Sequence, residues 1–442
     1  MKDDRPLFAW LAVPLVVALL LLGSLAWFGF GRWQNSARAR AESSPRILLP
    51  HLRGVSTTED ARPGPGTART APSEQELNAR LNELLQQRVQ AVGAIENEAI
   101  LRFKSREAYE AFLKRAAAAG LTVLARIDGF FAVRVGYESV DALRGELTGN
   151  LADIEDLGAN YLFKIPGVPE IEERTNAGSV PFGTSLFSSL GADRDRSAWG
   201  RGVTVAVLDA GLTNHPTFAR GQIVGHVDLI KDGLPFHGHG DAMGSLIGGT
   251  AKGAEGVAPA ARLLDVRIFD GAGEGDSFVL AQGIREAVDR GAQIINISGA
   301  GYGDSSLVRQ AIRYAQDREV TIVAAVGNEQ AGVKAFPAAY PGVVSVSGVD
   351  RTGRLAYFSN SGTPTLAAPA VSVPSAYSAD GQAAFVYGSG TSQAAALVSG
   401  AAAKLLAEGR DPATALSAST QAADPSATPH QVGAGVLHLS PK

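Results

Sequence analysis

Residues from about 195 onward are predicted to form an α/β domain: a mostly parallel sheet with helices on both faces. Three observations predict it. Four short stretches, VTVAVL, QIINIS, VTIVAAV and VVSVSGV, are nearly continuous in apolar residues, as strands covered on both faces are. Between them, SFVLAQGIREAVDRGA and SLVRQAIRYAQDR carry apolar residues at helical spacing. The glycines, 51 in 442 residues, concentrate after residue 200, where tight strand–helix turns are needed.

The elements before that domain follow in order. Leu7 to Phe30 contains no charged residue and is long enough to span a bilayer with some tilt. Trp10 and Trp27 near its ends suit interfacial anchoring. We expect a retained membrane anchor over residues 1–30, a cleaved signal peptide being the alternative. Lys2 and Arg5 flank one side and Arg32, Arg38, Arg40 and Arg46 the other. Long domains cross largely regardless of loop charge, so an exported catalytic domain is expected, periplasmic or extracellular. Residues 31–72, ending ARPGPGTARTAP, read as a flexible linker. Residues 73–95 read as an amphipathic helix, with Leu77, Leu81, Leu84, Leu85 and Val89 on one face behind a Ser73-x-x-Glu76 capping box.

Residues 96–165 are expected to form a small α+β domain. AILRF, LTVLARI, FFAVRV and ANYLFKI read as strands, and REAYEAFLKRAAAAG and SVDALRGELTG as helices. The order βαββαβ is that of a ferredoxin-like split unit. Residues 166–194 are rich in turn formers and read as a linker, leaving 195–442 as the larger domain.

The composition excludes several functions. With no cysteine in the chain, thiol nucleophiles, disulfide scaffolds and thiolate–zinc sites are out. A net charge of −4 with no basic block in the folded part gives no electrostatic case for nucleic acid.

In open α/β sheets, sites gather at the carboxyl ends of strands. VTVAVL runs into Asp209, QIINI into Ser298-Gly299-Ala300-Gly301, and TIVAAV into Gly327-Asn328, while Ser392 precedes an apolar helix. Singly these are turn and cap residues. Together they supply what acyl transfer needs: a hydroxyl, a base to take its proton, a carboxylate to hold the base, and amide donors for an oxyanion.

The motifs VTVAVLDAGLTNHP, HGDAMGSLIGG, QIINIS, TIVAAVGN, FPAAYPGVVSVSGVDRTGRLAYFSNSG and GSGTSQAAALVSGAAAKLL resemble, in order, those of the subtilisin-like serine proteases, the subtilases. The chain order Asp, His, Ser is that of subtilisin. The resemblance implies a subtilisin-like three-layer sandwich, a serine endopeptidase activity on polypeptide substrates and no cofactor for the chemistry. It matches Asp209 to the orienting carboxylate, His239 to the general base, Ser392 to the nucleophile and Asn328 to the oxyanion-hole amide. It matches Ser298, Gly299, Ala300 and Gly301 to the segment that pairs with substrate, and Ala325, Val326 and Gly327 (with Ala335) to the pocket for the residue before the scissile bond. Residues 96–165 then resemble the propeptide, an intramolecular chaperone and inhibitor whose tail occupies the cleft. The family often binds structural calcium, but no acidic cluster for it is readable here.

The sequence departs from the family pattern at four points. Ala210 replaces a hydroxyl residue beside Asp209, Asp241 stands two residues after the histidine, and Gln393 and Ala396 replace the usual Met and Pro. Asp241 is expected near the base, where its charge would raise the imidazole's pKa. Two rival readings remain: a metal-dependent hydrolase using His237, His239 and Asp241, and a non-catalytic binding protein that keeps the fold. The first lacks a histidine at Ala242, where the H-x-H-x-D-H pattern would continue.

Overall fold

The structure is a computed structural model. It describes residues 93–167, 179–379 and 381–439, together with Leu85, Val89 and Ala91. The expected anchor, the linker 31–72 and most of the helix 73–95 lie outside the described residues. Among the described residues no helix is long and apolar enough to cross a membrane.

The small domain runs β1 (Glu98–Phe103), α1 (Arg106–Arg115), β2 (Leu121–Ile127), β3 (Ala132–Tyr137), α2 (Val140–Asn150) and β4 (Ile154–Gly158). Ser105 and Ser139 cap the two helices, each hydroxyl accepting from the backbone N–H three residues on. The sheet order is β2-β3-β1-β4. The fourth strand is not the expected one. Ile154–Gly158 pairs with β1, while the ANYLFKI stretch leaves this sheet. Its β5 (Leu162–Lys164) pairs antiparallel with β9 (Glu274–Asp276) of the larger domain. Ile154 and Leu157 bury against the small core, whereas Phe163 stacks on Phe269 with centroids 5.3 Å apart. Each segment follows its own apolar anchor.

Alternation gives the small sheet two buried faces. Ala99, Leu101, Phe103, Val133 and Val135 face the helices α1 and α2, where Leu85 and Val89 also pack. Ile100, Ile127, Phe130 and Ala132 join a core cluster of the larger domain. Polar contacts fix the same junction. Arg134 donates to Glu98 and to Asp276, both at 2.7 Å, and Arg102 to Gln310 at 2.8 Å. The wholly buried Asn160 accepts from the Ser277 hydroxyl at 3.0 Å and the Phe278 amide at 3.1 Å.

The larger domain holds β6 (Thr204–Asp209), β7 (Ile223–Asp228), α3 (His239–Gly248), β8 (Arg262–Arg267), β9, α4 (Ser277–Asp289), β10 (Ile294–Ile297) and α5 (Ser306–Gln316). It continues through β11 (Thr321–Ala325), β12 (Val344–Val349), β13 (Leu366–Pro369), the hairpin β14 (Val373–Ala379) and β15 (Gln382–Gly388), and α6 (Thr391–Ala407), to β16 (Thr420–Gln421) and β17 (Val436–Leu437). Nine strands form one sheet in the order β16-β17-β13-β12-β11-β10-β6-β8-β7. All its pairings are parallel except β16 with β17.

The expected double burial is seen residue by residue. Val205 and Val207 of β6 join α3 and α6 in one cluster, and Ala206 and Leu208 join α4 and α5 in the other. The helix α6 is buried almost throughout, as an all-round apolar helix must be. The packed unit begins earlier than residue 195. Phe182, Leu186, Leu190 and Ala192 lie in the α3/α6 core, so apolar residues inside the expected linker pull it down onto the domain.

β8 carries a polar exception, Asp265, which is 1% exposed. Its Oδ2 lies 2.9 Å from His226 Nδ1 on β7, while Oδ1 is buried with no partner among the described residues. Burial pushes the Asp265 carboxyl above the usual range, and the hydrogen bond to Asp265 raises the His226 imidazole above the usual histidine value. The stabilisation contributed by His226 is therefore present below the ordinary histidine pKa and is lost as pH rises through the raised one. His226→Ala leaves Asp265 buried without its partner and should destabilise by about 1–3 kcal/mol at pH 6. Thermal melts at pH 6 and pH 9 check this, since the gap between wild type and variant should narrow at the higher pH.

Candidate active site

Asp209 ends β6, fully buried. Its Oδ1 accepts from the Ala210 amide at 2.8 Å and lies 2.8 Å from His239 Nδ1. Its Oδ2 is buried with no partner among the described residues; the residue after it is Ala210, where the family pattern has a hydroxyl. His239 is the first residue of α3. With Nδ1 committed to the carboxylate, Nε2 is the nitrogen available for proton transfer.

The turn that brings the two together depends on a glycine. A Cβ on Gly240 would sit 2.1 Å from the Gly211 carbonyl oxygen, so only glycine lets α3 start this close to the loop after Asp209. That loop is tied again by Asp241, which is wholly buried. Its Oδ1 accepts from the Thr213 amide and its Oδ2 from the Thr213 hydroxyl, both at 2.7 Å. Both oxygens of Asp241 are thus spent on Thr213, a different use from the expected influence on the imidazole. Asp241→Ala should cost about 1–3 kcal/mol by leaving the Thr213 amide without its acceptor. Asp241→Asn keeps an acceptor and a group the hydroxyl can bond, and should stay within about 1 kcal/mol of wild type; denaturant unfolding of both variants checks the contrast.

His237 has a structural use that the sequence did not disclose. Its Nδ1 accepts from the His239 amide at 3.3 Å, so it caps the start of α3 while its ring packs edge-on against Tyr377. Burial, and then the neighbouring His239, hold its pKa below the usual histidine value, which keeps Nδ1 an acceptor. His237, His239 and Asp241 are thus each engaged with a different partner. Among the described residues no group of three or more His, Asp or Glu converges as a metal-binding cluster.

Ser392 is the second residue of α6 and 2% exposed. Its hydroxyl donates to the Ser298 carbonyl at 3.0 Å. A buried polar chain ties α6 to β10 behind it: Ser399 donates to Asn296 at 2.9 Å, and Asn296 to Ser298 Oγ at 2.9 Å. Asn328 follows β11, 1% exposed. Its Oδ1 accepts from the Thr391 amide and hydroxyl, both at 2.9 Å, which fixes the side-chain amide with Nδ2 pointing away from Thr391. The backbone around it is held by Asn360, whose Nδ2 donates to Val326 O at 2.9 Å and whose Oδ1 accepts from the Glu329 amide at 3.0 Å. Ala325 packs into the α3/α6 core and Val326 into the α4/α5 core.

The tail of the small domain lies along this site. Lys164 and Ala300 exchange two backbone hydrogen bonds, at 3.0 and 2.8 Å, and the Ile165 amide donates to Gly273 O at 2.9 Å. The tail is thus the middle strand between β9 and residues 299–301. A Cβ on Gly299 would lie 2.3 Å from Phe269 and 2.5 Å from Phe163, so glycine there leaves room for the Phe163 ring. At the end of the tail, Asn328 Nδ2 donates to Pro166 O at 3.0 Å.

Comparison with known proteins agrees with this geometry. Residues 200–435 match the model of the peptidase S8 family, described as "Subtilase family". The chain belongs to the subtilase family. This subtilase is 33% identical over 315 residues to the thermostable alkaline protease of Halalkalibacterium halodurans, covering 68% of this chain and 83% of that one. It is 33% identical over 235 residues to thermitase of Thermoactinomyces vulgaris, covering 51% of this chain and 83% of that one. Its fold is similar to the crystal structure of fervidolysin from Fervidobacterium pennivorans, a keratinolytic enzyme related to subtilisin. The TM-score is 0.66 at 24% identity, over 79% of this chain and 61% of fervidolysin. The protein is accordingly a subtilisin-like serine protease.

Proposed function

We propose that this subtilase is an endopeptidase in which Ser392 is the nucleophile, His239 the general base and Asp209 the residue that holds the base, with Asn328 donating to the oxyanion. The single observation that carries the reading is the Asn328–Pro166 hydrogen bond. It sets a peptide carbonyl against the amide proposed for the oxyanion hole, on a backbone paired as a substrate would be with Ala300 and Gly273. Attack by Ser392 Oγ would pass its proton to His239 Nε2, with Asp209 stabilising the imidazolium. Asn328 would be positioned for the charge that develops on the carbonyl oxygen.

The same contact supports a self-inhibited zymogen: residues 162–166 fill the cleft that a polypeptide substrate would use, and residues 96–165 act as the inhibitor. Leu7 to Phe30 is proposed to tether an exported catalytic domain. No metal takes part in the proposed chemistry.

Labelling with a fluorophosphonate, with and without EDTA, beside Ser392→Ala, tests the reading. Labelling that EDTA leaves intact and Ser392→Ala abolishes is expected. Labelling that survives in the variant, or hydrolysis lost only to the chelator, would overturn it.

A further inference from the structure

The tail enters the cleft with a proline at a position where the pairing calls for a backbone donor. In an antiparallel pair, residues that exchange hydrogen bonds recur at every second position. Lys164 and Ala300 form such a pair, so the next is residue 166 opposite Ser298. There the N–H of residue 166 would donate to the Ser298 carbonyl. Pro166 has no N–H to give. That carbonyl instead receives the Ser392 hydroxyl, at 3.0 Å, while His239 holds Asp209 and Asn328 holds the Pro166 carbonyl.

We propose that Pro166, by lacking the N–H that the pairing calls for, makes the chain's own tail a slow substrate. The inference rests on the roles given above to Ser392, His239 and Asn328. With Pro166 in place, the Ser298 carbonyl draws the Ser392 proton away from His239 Nε2. The serine is then not primed to attack, although the carbonyl is correctly held. A peptide with an ordinary residue at this position fills the Ser298 carbonyl with its own N–H and frees Ser392 for His239. Phe163 against Phe269 and the paired backbone of Leu162–Lys164 keep the tail seated meanwhile.

Self-cleavage, when it occurs, joins Ser392 Oγ to the Pro166 carbonyl carbon. The hydroxyl proton passes through His239 to the Gly167 nitrogen as the Pro166–Gly167 bond breaks. Water then hydrolyses the ester, restoring Ser392 and leaving the Pro166 carboxylate. Gly167 is exposed, so the new amino terminus is free to leave.

The test follows the full-length chain over time by intact mass, scoring the fragment that begins at Gly167. Pro166→Ala, which restores one hydrogen bond, should cleave about tenfold faster than wild type. Pro166→Ala with Ser392→Ala should not cleave. Equal rates in wild type and Pro166→Ala, both lost with Ser392→Ala, would overturn the proline inference and leave the triad standing. Cleavage persisting in the double variant would overturn the triad assignment and the inference with it. A folded Pro166→Ala chain, judged by its thermal melt, that is cleaved no faster would also overturn the inference. A second arm uses processed enzyme on peptides carrying alanine, N-methylalanine or proline before the scissile bond. N-methylalanine should be as poor as proline; if it is cleaved like alanine, the missing donor is not the cause.

Discussion

Ser392→Ala is expected to lower kcat/KM for peptide hydrolysis by at least about 10⁴-fold, because no other group can form the acyl-enzyme. The expected cost to stability is small. The hydroxyl makes one hydrogen bond, to the Ser298 carbonyl at 3.0 Å, and the rest of the residue is the second position of a helix that alanine suits. The variant should therefore melt within about 1 kcal/mol of wild type. Activity lost together with the fold would not separate a catalytic role from a structural one, so kcat/KM and the melting temperature are measured on the same preparation.

Asp209→Asn is expected to cost on the order of 10⁴-fold in kcat. Oδ1 of Asp209 faces both the Ala210 amide and His239 Nδ1, so it serves two donors at once. An asparagine that keeps its oxygen on one of them presents an NH2 group elsewhere in a site where Oδ2 already has no partner among the described residues. If the NH2 meets Nδ1, the imidazole must carry its proton on Nε2 and can no longer accept one from Ser392. The loss should lie in kcat, with KM little changed, since the backbone at Gly273 and Ala300 that is proposed to pair with substrate is untouched. A variant retaining more than about a tenth of wild-type kcat would contradict the proposed role of Asp209.

The central sheet was legible because its strands are buried on both faces. Val205 to Leu208 reads as an unbroken apolar run and Ile294 to Ile297 as one interrupted only by Asn296, and they form the body of β6 and the whole of β10. β7 and β8 were not foreseen: IVGHVD and RLLDVR break the apolar pattern with His226, Asp265 and Arg267. Those residues face one another or other polar partners, which no window of sequence reveals. The small domain was misread at its last strand for a related reason. Leu162 to Lys164 has the look of a strand and is one, but its partner lies more than 100 residues away on β9. The modest IEDLG segment takes the vacant edge, carrying Ile154 and Leu157 into the core.

For the candidate site, the sequence motifs picked out Asp209, His239, Asn328 and Ser392, which lie at or just past a strand end or at a helix start, where chemistry gathers. What they missed are the residues that hold these in place. Thr213 ties Asp241, His237 caps α3, Thr391 orients Asn328, and Asn296 with Ser399 links β10 to α6. All are common polar residues whose task exists only once distant segments meet. Pro166 is the sharpest case. In the sequence it opens a turn-rich linker, whereas in the structure its carbonyl meets the side-chain amide of Asn328.

The most direct measurement is the mass-spectrometric location of the adduct after fluorophosphonate treatment of the protein freed of residues before Gly167. A single phosphonylated peptide is expected, the one containing Ser392. An adduct on any other residue, or a fully active enzyme with Ser392 unmodified, would contradict it.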